Sequence, residues 1–395
     1  MRTKLLIVLI IVFCSCGRKG TNQTNDTTSI IVIDLHSETE SKITRLSDIA
    51  KDIDYIPLQT SEKSLIKNIA KIISCENKIY IKNNVVEVMC FNNEGQFLYK
   101  LDRSGRGPGE YSYITDFDIS SDNNTLLILS SGKILEFKNT GTEFTFRNSI
   151  NLKRPAPSML DIVPGTSNVL LSIDPIMGSE PSLSVIINFN GDTLNFKPNC
   201  YKYEKVDKMT TVHIWESLHY KFDNCVFFRE QFSDTIFSVN SSSNDFIPRL
   251  VLDSHGSVLP PQAKGDRSYF QRHPGNNSFL YTIIEVPKYL IYSYEYGLQK
   301  YRIIFDKSIN KKFEIALNDA LINDISGGPS FDPDFCSENI LYSTVDALTL
   351  KKYVASENFK KAQVQNPKKK EELKKLADSL EETDNPILIV VTPKN

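Results

Sequence analysis

Three sets of side chains in this sequence could do chemistry, and their spacing decides how far each reading goes. The first is the glycine run of residues 102–111, DRSGRGPGEY, where Gly105, Gly107 and Gly109 sit among Arg103, Arg106 and Glu110. A dinucleotide loop wants G-x-G-x-x-G between a strand and a helix, and a P-loop wants Lys-Ser/Thr after its last glycine. Here the spacing is G-x-G-x-G followed by Glu110, with strand-like sequence on both sides (QFLYKL and YITDFDIS). Phosphate chemistry fits poorly. The stretch reads as a crossing between two sheets, its glycines taking φ > 0 and Pro108 stiffening the bend. Arg103, Arg106 and Glu110 either pair there or face the space the sheets enclose, and they remain candidate binding residues.

The second set is metal-ligating or acid–base. The five histidines (His36, His213, His219, His255, His273) show neither H-x-x-x-H nor H-E-x-x-H spacing. His213 and His219 are six apart around a strand, so they point the same way only without a bulge. Asp116, Asp118, Asp122 and Asn124 lack the D-x-D-x-D-G pattern of a calcium loop and read as strand plus turn. No G-x-S-x-G or C-x-x-C occurs. These signals predict no catalytic residue, no metal and no cofactor.

The third set is aromatic and basic. Residues 198–211 and 254–277 are longer than the two- to four-residue turns elsewhere, and long loops on a rigid scaffold often carry function. The first holds Tyr201 and Tyr203, beside the lone Trp215, and the second holds His255, Arg267, Tyr269, Phe270, Arg272 and His273. Aromatic rings and arginines are favoured where proteins recognise sugars and peptides. Local packing of the rings within inserted loops is the equal alternative.

The elements that must position these groups are strands. With 395 residues, 40% hydrophobic and 24% charged, the chain is long enough for a large core, and its 17 Tyr and 22 Phe favour sheet. A net charge of -2 leaves no electrostatic footprint for nucleic acid. From residue 65 onward, four short strands joined by Asn/Gly turns recur: residues 68–75, 79–82, 85–91 and 96–101 are the first set. Four similar sets follow, then an incomplete sixth, at a spacing of roughly 45–65 residues, the range of four-stranded propeller blades. The sixth is interrupted by helical sequence at 346–355 and 357–382, where Leu373, Leu376 and Leu380 fall on one face and the lysine run solvates the other. Residues 387–391, ILIVV, supply a last strand. That sheet is one strand short, and residues 53–58 are expected to complete it and close the ring, with 30–35 beside them or in their place. Pro57 suits such an edge position.

The N-terminus sets the address. Arg2 and Lys4 precede an apolar stretch at 5–13, followed by Cys14-Ser15-Cys16-Gly17. The stretch is too short for a spanning helix. It resembles a bacterial lipoprotein signal, which implies cleavage after residue 15 and a lipid on Cys16, with residues 16–29 as a flexible tether. Of the remaining cysteines, Cys75 and Cys90 fall on first and third strands of one sheet, roughly 10 Å apart. That is too far for a disulfide, so they are expected as free buried thiols.

Taken with this signal, IDYIPLQT, LIKNIAKI, FNNEGQFLYKLDRSGRGPGEY, SDTIFSV and the terminal DNPILIVV resemble the six-bladed β-propeller lipoproteins of Gram-negative envelopes, themselves distantly similar to NHL-repeat propellers. The resemblance spans essentially the whole chain, with G-x-G-P-G-E-Y its most specific part. It implies an all-β, six-bladed propeller over residues 30–395, closed by an N-terminal strand and carrying a C-terminal helical insertion. Its blades fall at about 65–101, 114–150, 158–197, 211–252, 278–317 and 328–395 plus 53–58. It also implies an outer-membrane, lipid-anchored location. The resemblance fixes no activity; beside a structural envelope protein without a small-molecule site, two functions stay open. One is a non-catalytic binding or scaffold module for a protein, peptide or glycan. The other is a lactonase- or lyase-like enzyme, which needs Asp116, Asp161, His213 and Glu285 to converge at the channel mouth.

Overall fold

The computed structural model describes residues 30–152, 155–206, 217–275, 277–315 and 320–395. The expected signal, tether and lipidated Cys16, together with His213 and Trp215, lie outside the described residues. Two strands open the described chain, β1 (Ile31–Asp34) and β2 (Ala50–Pro57). A meander then repeats. Blade one is β3 (Ile69–Cys75), β4 (Lys78–Asn83), β5 (Glu87–Asn92) and β6 (Phe97–Asp102). Blade two is β7 (Asp116–Ile119), β8 (Thr125–Ser130), β9 (Lys133–Asn139) and β10 (Phe144–Asn151). Blade three is β11 (Met159–Ile162), β12 (Asn168–Ser172), β13 (Ser182–Asn188) and β14 (Thr193–Pro198). Blade four is β15 (Leu218–Phe222), β16 (Cys225–Arg229), β17 (Thr235–Val239) and β18 (Phe246–Asp253).

Two single-turn helices, α1 (Gln262–Gly265) and α2 (Tyr269–Arg272), interrupt the long crossing to blade five. That blade comprises β19 (Ser278–Glu285), β20 (Tyr289–Tyr296), β21 (Gln299–Asp306) and β22 (Lys311–Ile315). Blade six begins with β23 (Phe335–Ser337) and β24 (Ile340–Val345). Helices α3 (Ala347–Ala355), α4 (Glu357–Lys361) and α5 (Pro367–Ser379) follow before β25 (Ile387–Pro393). The protein is a six-bladed β-propeller.

Local chemistry explains the meander. The inner hairpins of blades one, four and six turn on Glu76-Asn77, Asp223-Asn224 and Glu338-Asn339, each pair with both φ angles positive. That is the type I′ geometry whose twist matches the flanking strands, and asparagine tolerates it best among residues with a Cβ. Apolar side chains on both faces of each blade then pack against the next. Phe117, Leu126, Leu135 and Phe137 of blade two, for instance, form one cluster with Tyr80, Val88 and Leu101 of blade one. The ring closes where β2 pairs antiparallel with β25, placing Ile53 against Val391 and Ile56 against Leu388. Pro57 lies in this outermost strand, where a missing N–H costs no ladder bond.

The other N-terminal strand is a correction. Residues 30–35 neither join nor replace β2. Instead β1 adds in parallel to the outer edge of blade four, Ile31 beside Leu250 and Asp34 beside Asp253. Ile33 and Leu35 are buried there, and the Tyr294 hydroxyl donates to the Leu35 carbonyl at 2.8 Å. Burial of two apolar side chains and a matched register outweigh proximity in sequence to β2.

In the helical insertion, Asn366 caps α5 by accepting from the Lys369 N–H at 3.2 Å, and Pro367 occupies its first turn. Leu373 is buried, while Lys375–Glu371 and Lys374–Asp378 pairs lie on the exposed side. Among the described residues no helix is long and apolar enough to cross a membrane. Cys75 and Cys90 are buried free thiols.

Candidate functional site

The six innermost strands β3, β7, β11, β15, β19 and β23 wall a central channel of about 1120 Å³. Strands in a blade alternate direction. Connections leaving each outer strand therefore emerge on one face, together with those between second and third strands. Residues 103–115, the described parts of the crossings after β14 and β18 (199–206 and 254–275), the nine-residue connection 173–181 within blade three, and the insertion α3–α5 all lie on that face.

Charged residues occupy inward positions of the inner strands, and they are paired. Lys71 Nζ on β3 lies 2.8 Å from Asp116 Oδ1 on β7 and 2.8 Å from the Phe117 carbonyl. The other Asp116 oxygen accepts the Leu160 N–H at 3.0 Å, tying blade two to blade three. Lys221 on β15 donates to Asp118 Oδ2, which also accepts the Ile162 N–H at 2.7 Å. On blade five, Arg249 grips Glu285 with two bonds of 2.6 Å, Lys307 adds a third at 2.8 Å, and the Tyr220 hydroxyl donates a fourth at 3.0 Å. Burial works against ionisation of Glu285, but these partners outweigh it and hold its carboxyl below the ordinary range. Burial likewise opposes Asp161, yet the His219 hydrogen bond with Lys71 and Lys221 nearby keeps its carboxyl well below the usual value.

One arrangement resembles a nucleophile relay. Ser172 Oγ is 2.6 Å from His219 Nε2, and His219 Nδ1 is 2.7 Å from Asp161 Oδ2. The ionised Asp161 can only accept, so Nδ1 carries a proton and Nε2 faces the serine. Ser172, however, is 1% exposed and lies behind the channel wall rather than on it. A buried hydroxyl that substrate cannot reach makes this a strut between blades three and four.

Of the residues singled out for an enzyme, His213 lies outside the described residues. Asp116, Asp161 and Glu285 all line the channel, each with its own cationic or imidazole partner, and among the described residues no group of three potential ligands is placed to hold a metal. Sequence reasoning missed Lys71, Lys221, Arg249 and Lys307, and it took Asp118 only as part of an acidic strand and turn. A usable signal existed: a charged residue recurs in the first strand of successive repeats, in IAKIISC, DFDI, MLDI and LHYKF.

The glycine-rich crossing stays away from the channel. The Glu110 carboxylate accepts the Gly107 N–H at 2.7 Å, and the Tyr111 hydroxyl donates to the Val86 carbonyl at 2.9 Å. Arg103 and Arg106 are exposed and neither lines the channel. The expectation of φ > 0 holds only for Gly109, at +74°. Gly105 serves a different need, since a Cβ there would lie 2.1 Å from Glu110 Oε2.

The two long loops do converge. Tyr201 from the first and Tyr269 from the second pack on a small core of Phe232, Leu259 and Ala263. Tyr203 is buried, its hydroxyl donating to the Pro175 carbonyl at 2.5 Å, so it fastens the loops and offers nothing to a ligand. Outward lie Phe270, in edge contact with Tyr269, and His273, stacked on Tyr269 with ring centres 4.4 Å apart. Arg272 is exposed and paired with Asp266, and Arg267 is exposed beside them. His255 points elsewhere, 3.0 Å from Asp34 next to β1.

The family described as a domain of unknown function, DUF4934, matches residues 30–392. No curated protein matches the sequence. Among crystal structures, a Bacteroides fragilis NCTC 9343 protein described as exported is similar at 19% identity over 93% of this chain and 100% of its own, with a TM-score of 0.66. A DUF4221-family member from Bacteroides vulgatus is similar at 12% identity over 87% and 97%, with a TM-score of 0.49. The first likeness is one of fold.

Proposed function

The chain belongs to the DUF4934 family, and from that premise we propose that it is an exported, lipid-anchored β-propeller of the outer membrane. In this reading it serves as a non-catalytic binding module for a protein, peptide or glycan of the envelope. The lipoprotein-like sequence around Cys16 and the exported description of the B. fragilis relative support the address. The single observation that carries the binding role is the loop assembly over blades three to five. Two crossings longer than the fold requires meet on a shared core through Tyr201 and Tyr269, Tyr203 ties the first to the 173–181 connection, and Phe270, Arg272 and His273 face outward. A rigid aromatic platform edged by arginine suits stacking on sugar rings or peptide side chains at low entropic cost.

The test is a panel of envelope glycans and peptides presented to the mature protein and to Phe270→Ala/Arg272→Ala. The proposal expects a ligand whose binding weakens at least about tenfold in the double variant, as for loss of a recognition hot spot. Turnover of any bound compound, or equal binding by both proteins, overturns it.

A further inference from the structure

We propose that the central channel is itself a binding site, separate from the loop face, for a small organic cation carrying a primary ammonium group, held at Asp118. The site is built. Asp118 lies on the channel wall, its residue 1% exposed, with Oδ2 taking the Ile162 N–H and Lys221. Its other oxygen, Oδ1, is buried and has no hydrogen-bond partner among the described residues. A buried carboxylate oxygen without a donor is costly, and such a position is filled when a donor arrives.

Charge selects the kind of donor. Around this point three carboxylates, Asp116, Asp118 and Asp161, face two ammonium groups, Lys71 and Lys221, with His219 bonded to Asp161. Lys82 adds its charge beside Asp116, and of the three the carboxylate left with an unfilled acceptor is Asp118. Burial, with Asp161 adding to it, pushes the Asp118 carboxyl above its ordinary value despite Lys221. An arriving cation relieves the same imbalance that a proton would. The channel wall presents eight carboxylates and three lysines, with Arg249 and Lys307 set against Glu285 from behind it.

Geometry separates an ammonium from a metal ion. A divalent metal needs several oxygens converging on one point. Here the Asp116 oxygens are already taken, and among the described residues no three-ligand group exists. A single vacant oxygen suits one N–H donor. The channel volume of about 1120 Å³ admits a compact ligand, and further carboxylates on the wall, Asp174 and Asp334 among them, can meet a second ammonium group.

The experiment is isothermal titration of the mature full-length protein with 1,4-diaminobutane, and separately with calcium chloride, at low ionic strength. The diamine is expected to bind at one site, at least about tenfold more weakly in Asp118→Asn, and unchanged in Arg106→Ala. Asparagine keeps one acceptor oxygen toward Lys221 and Ile162 and sets an NH2 donor where Oδ1 stood, removing both the charge and the open acceptor. As a second reading on the unaltered protein, diamine affinity should fall as pH drops, because a proton on Asp118 occupies the same oxygen. The charged and titratable groups around it are Asp161, Lys221, Lys71 and the Cys75 thiol, with His219 and Asp116 bonded to Asp161 and Lys71 in turn. The pH trend stands without any variant. No binding at millimolar diamine, equal affinity in Asp118→Asn, affinity that rises on acidification, or saturation by calcium but not by diamine would each overturn the proposal.

Discussion

His219 Nδ1 on blade four lies 2.7 Å from Asp161 Oδ2 on blade three, and this pair bridges the joint between two blades at the channel wall. Other wall charges also reach between blades: Lys71 to Asp116 from blade one to two, Arg249 to Glu285 from four to five, and Lys221 of blade four past blade three to Asp118 of blade two. Neighbouring blades share mostly apolar contacts, which are tolerant of sliding. Directional polar pairs at the narrow inner end fix how each blade sits against the next.

Truncating His219 therefore tests a strut. His219→Ala leaves Asp161 buried with Lys221 3.8 Å away as its nearest remaining cation. Loss of one partner from a buried pair costs about 3 kcal/mol. Urea denaturation should show an unfolding free energy lower by that amount at an unchanged m-value, with Ser172→Ala costing about 1 kcal/mol.

Glu285 predicts a pH dependence. Its carboxyl is held below the ordinary value of about 4.3 by Arg249, Lys307 and Tyr220 acting against burial. A lowered folded-state value means the native state resists protonation. The resulting stability is fully present above the unfolded value and is lost as pH falls through the folded one. Glu285→Gln should cost about 3 kcal/mol at neutral pH. The gap from the wild type should shrink in melts taken at progressively lower pH below about 4.

Ring closure separates the two N-terminal strands. Ile53 is fully buried against Val391, and Ile53→Ala should cost about 2–5 kcal/mol. A chain starting at residue 39 loses β1 but keeps β2, and should still melt cooperatively at a lower temperature. One starting at residue 59 leaves β25 with an open edge and should lose cooperative unfolding by circular dichroism.

Glycine substitutions discriminate among the turns. Gly109→Ala meets both a φ of +74° and a Cβ position 2.6 Å from Phe146 Cγ. Gly165 has φ +72° with nothing within 4 Å. The open position should cost about 1–2 kcal/mol from backbone strain alone, and Gly109→Ala clearly more, in parallel denaturation series.

Much of the architecture was legible because it is local. Turns such as Glu76-Asn77 and the apolar run ILIVV announce hairpins and a buried strand without reference to distant residues. Edge placement of β2 followed from Pro57 and a strand count. Parallel addition of β1 to β18 was not legible, because Ile31 and Leu250 are far apart in sequence and any outer strand offers an edge. The same distance hid the channel. Asp118 and Lys221 each look like an ordinary surface charge on a strand, and only the ring brings them together. The loops were legible as candidates by length and composition. Which rings anchor and which face out was not, since Tyr203 and Phe270 differ in neighbours rather than in type.

The loop face is the centre of the functional account, and site-specific photocrosslinking in the native envelope tests it most directly. A photoreactive residue at Phe270 should capture a discrete partner, while the same group at Arg106, on the crossing between blades one and two, should capture none. Crosslinks at Arg106 equal to those at Phe270, or at Arg106 alone, would contradict the assignment of the recognition surface to the loops over blades three to five.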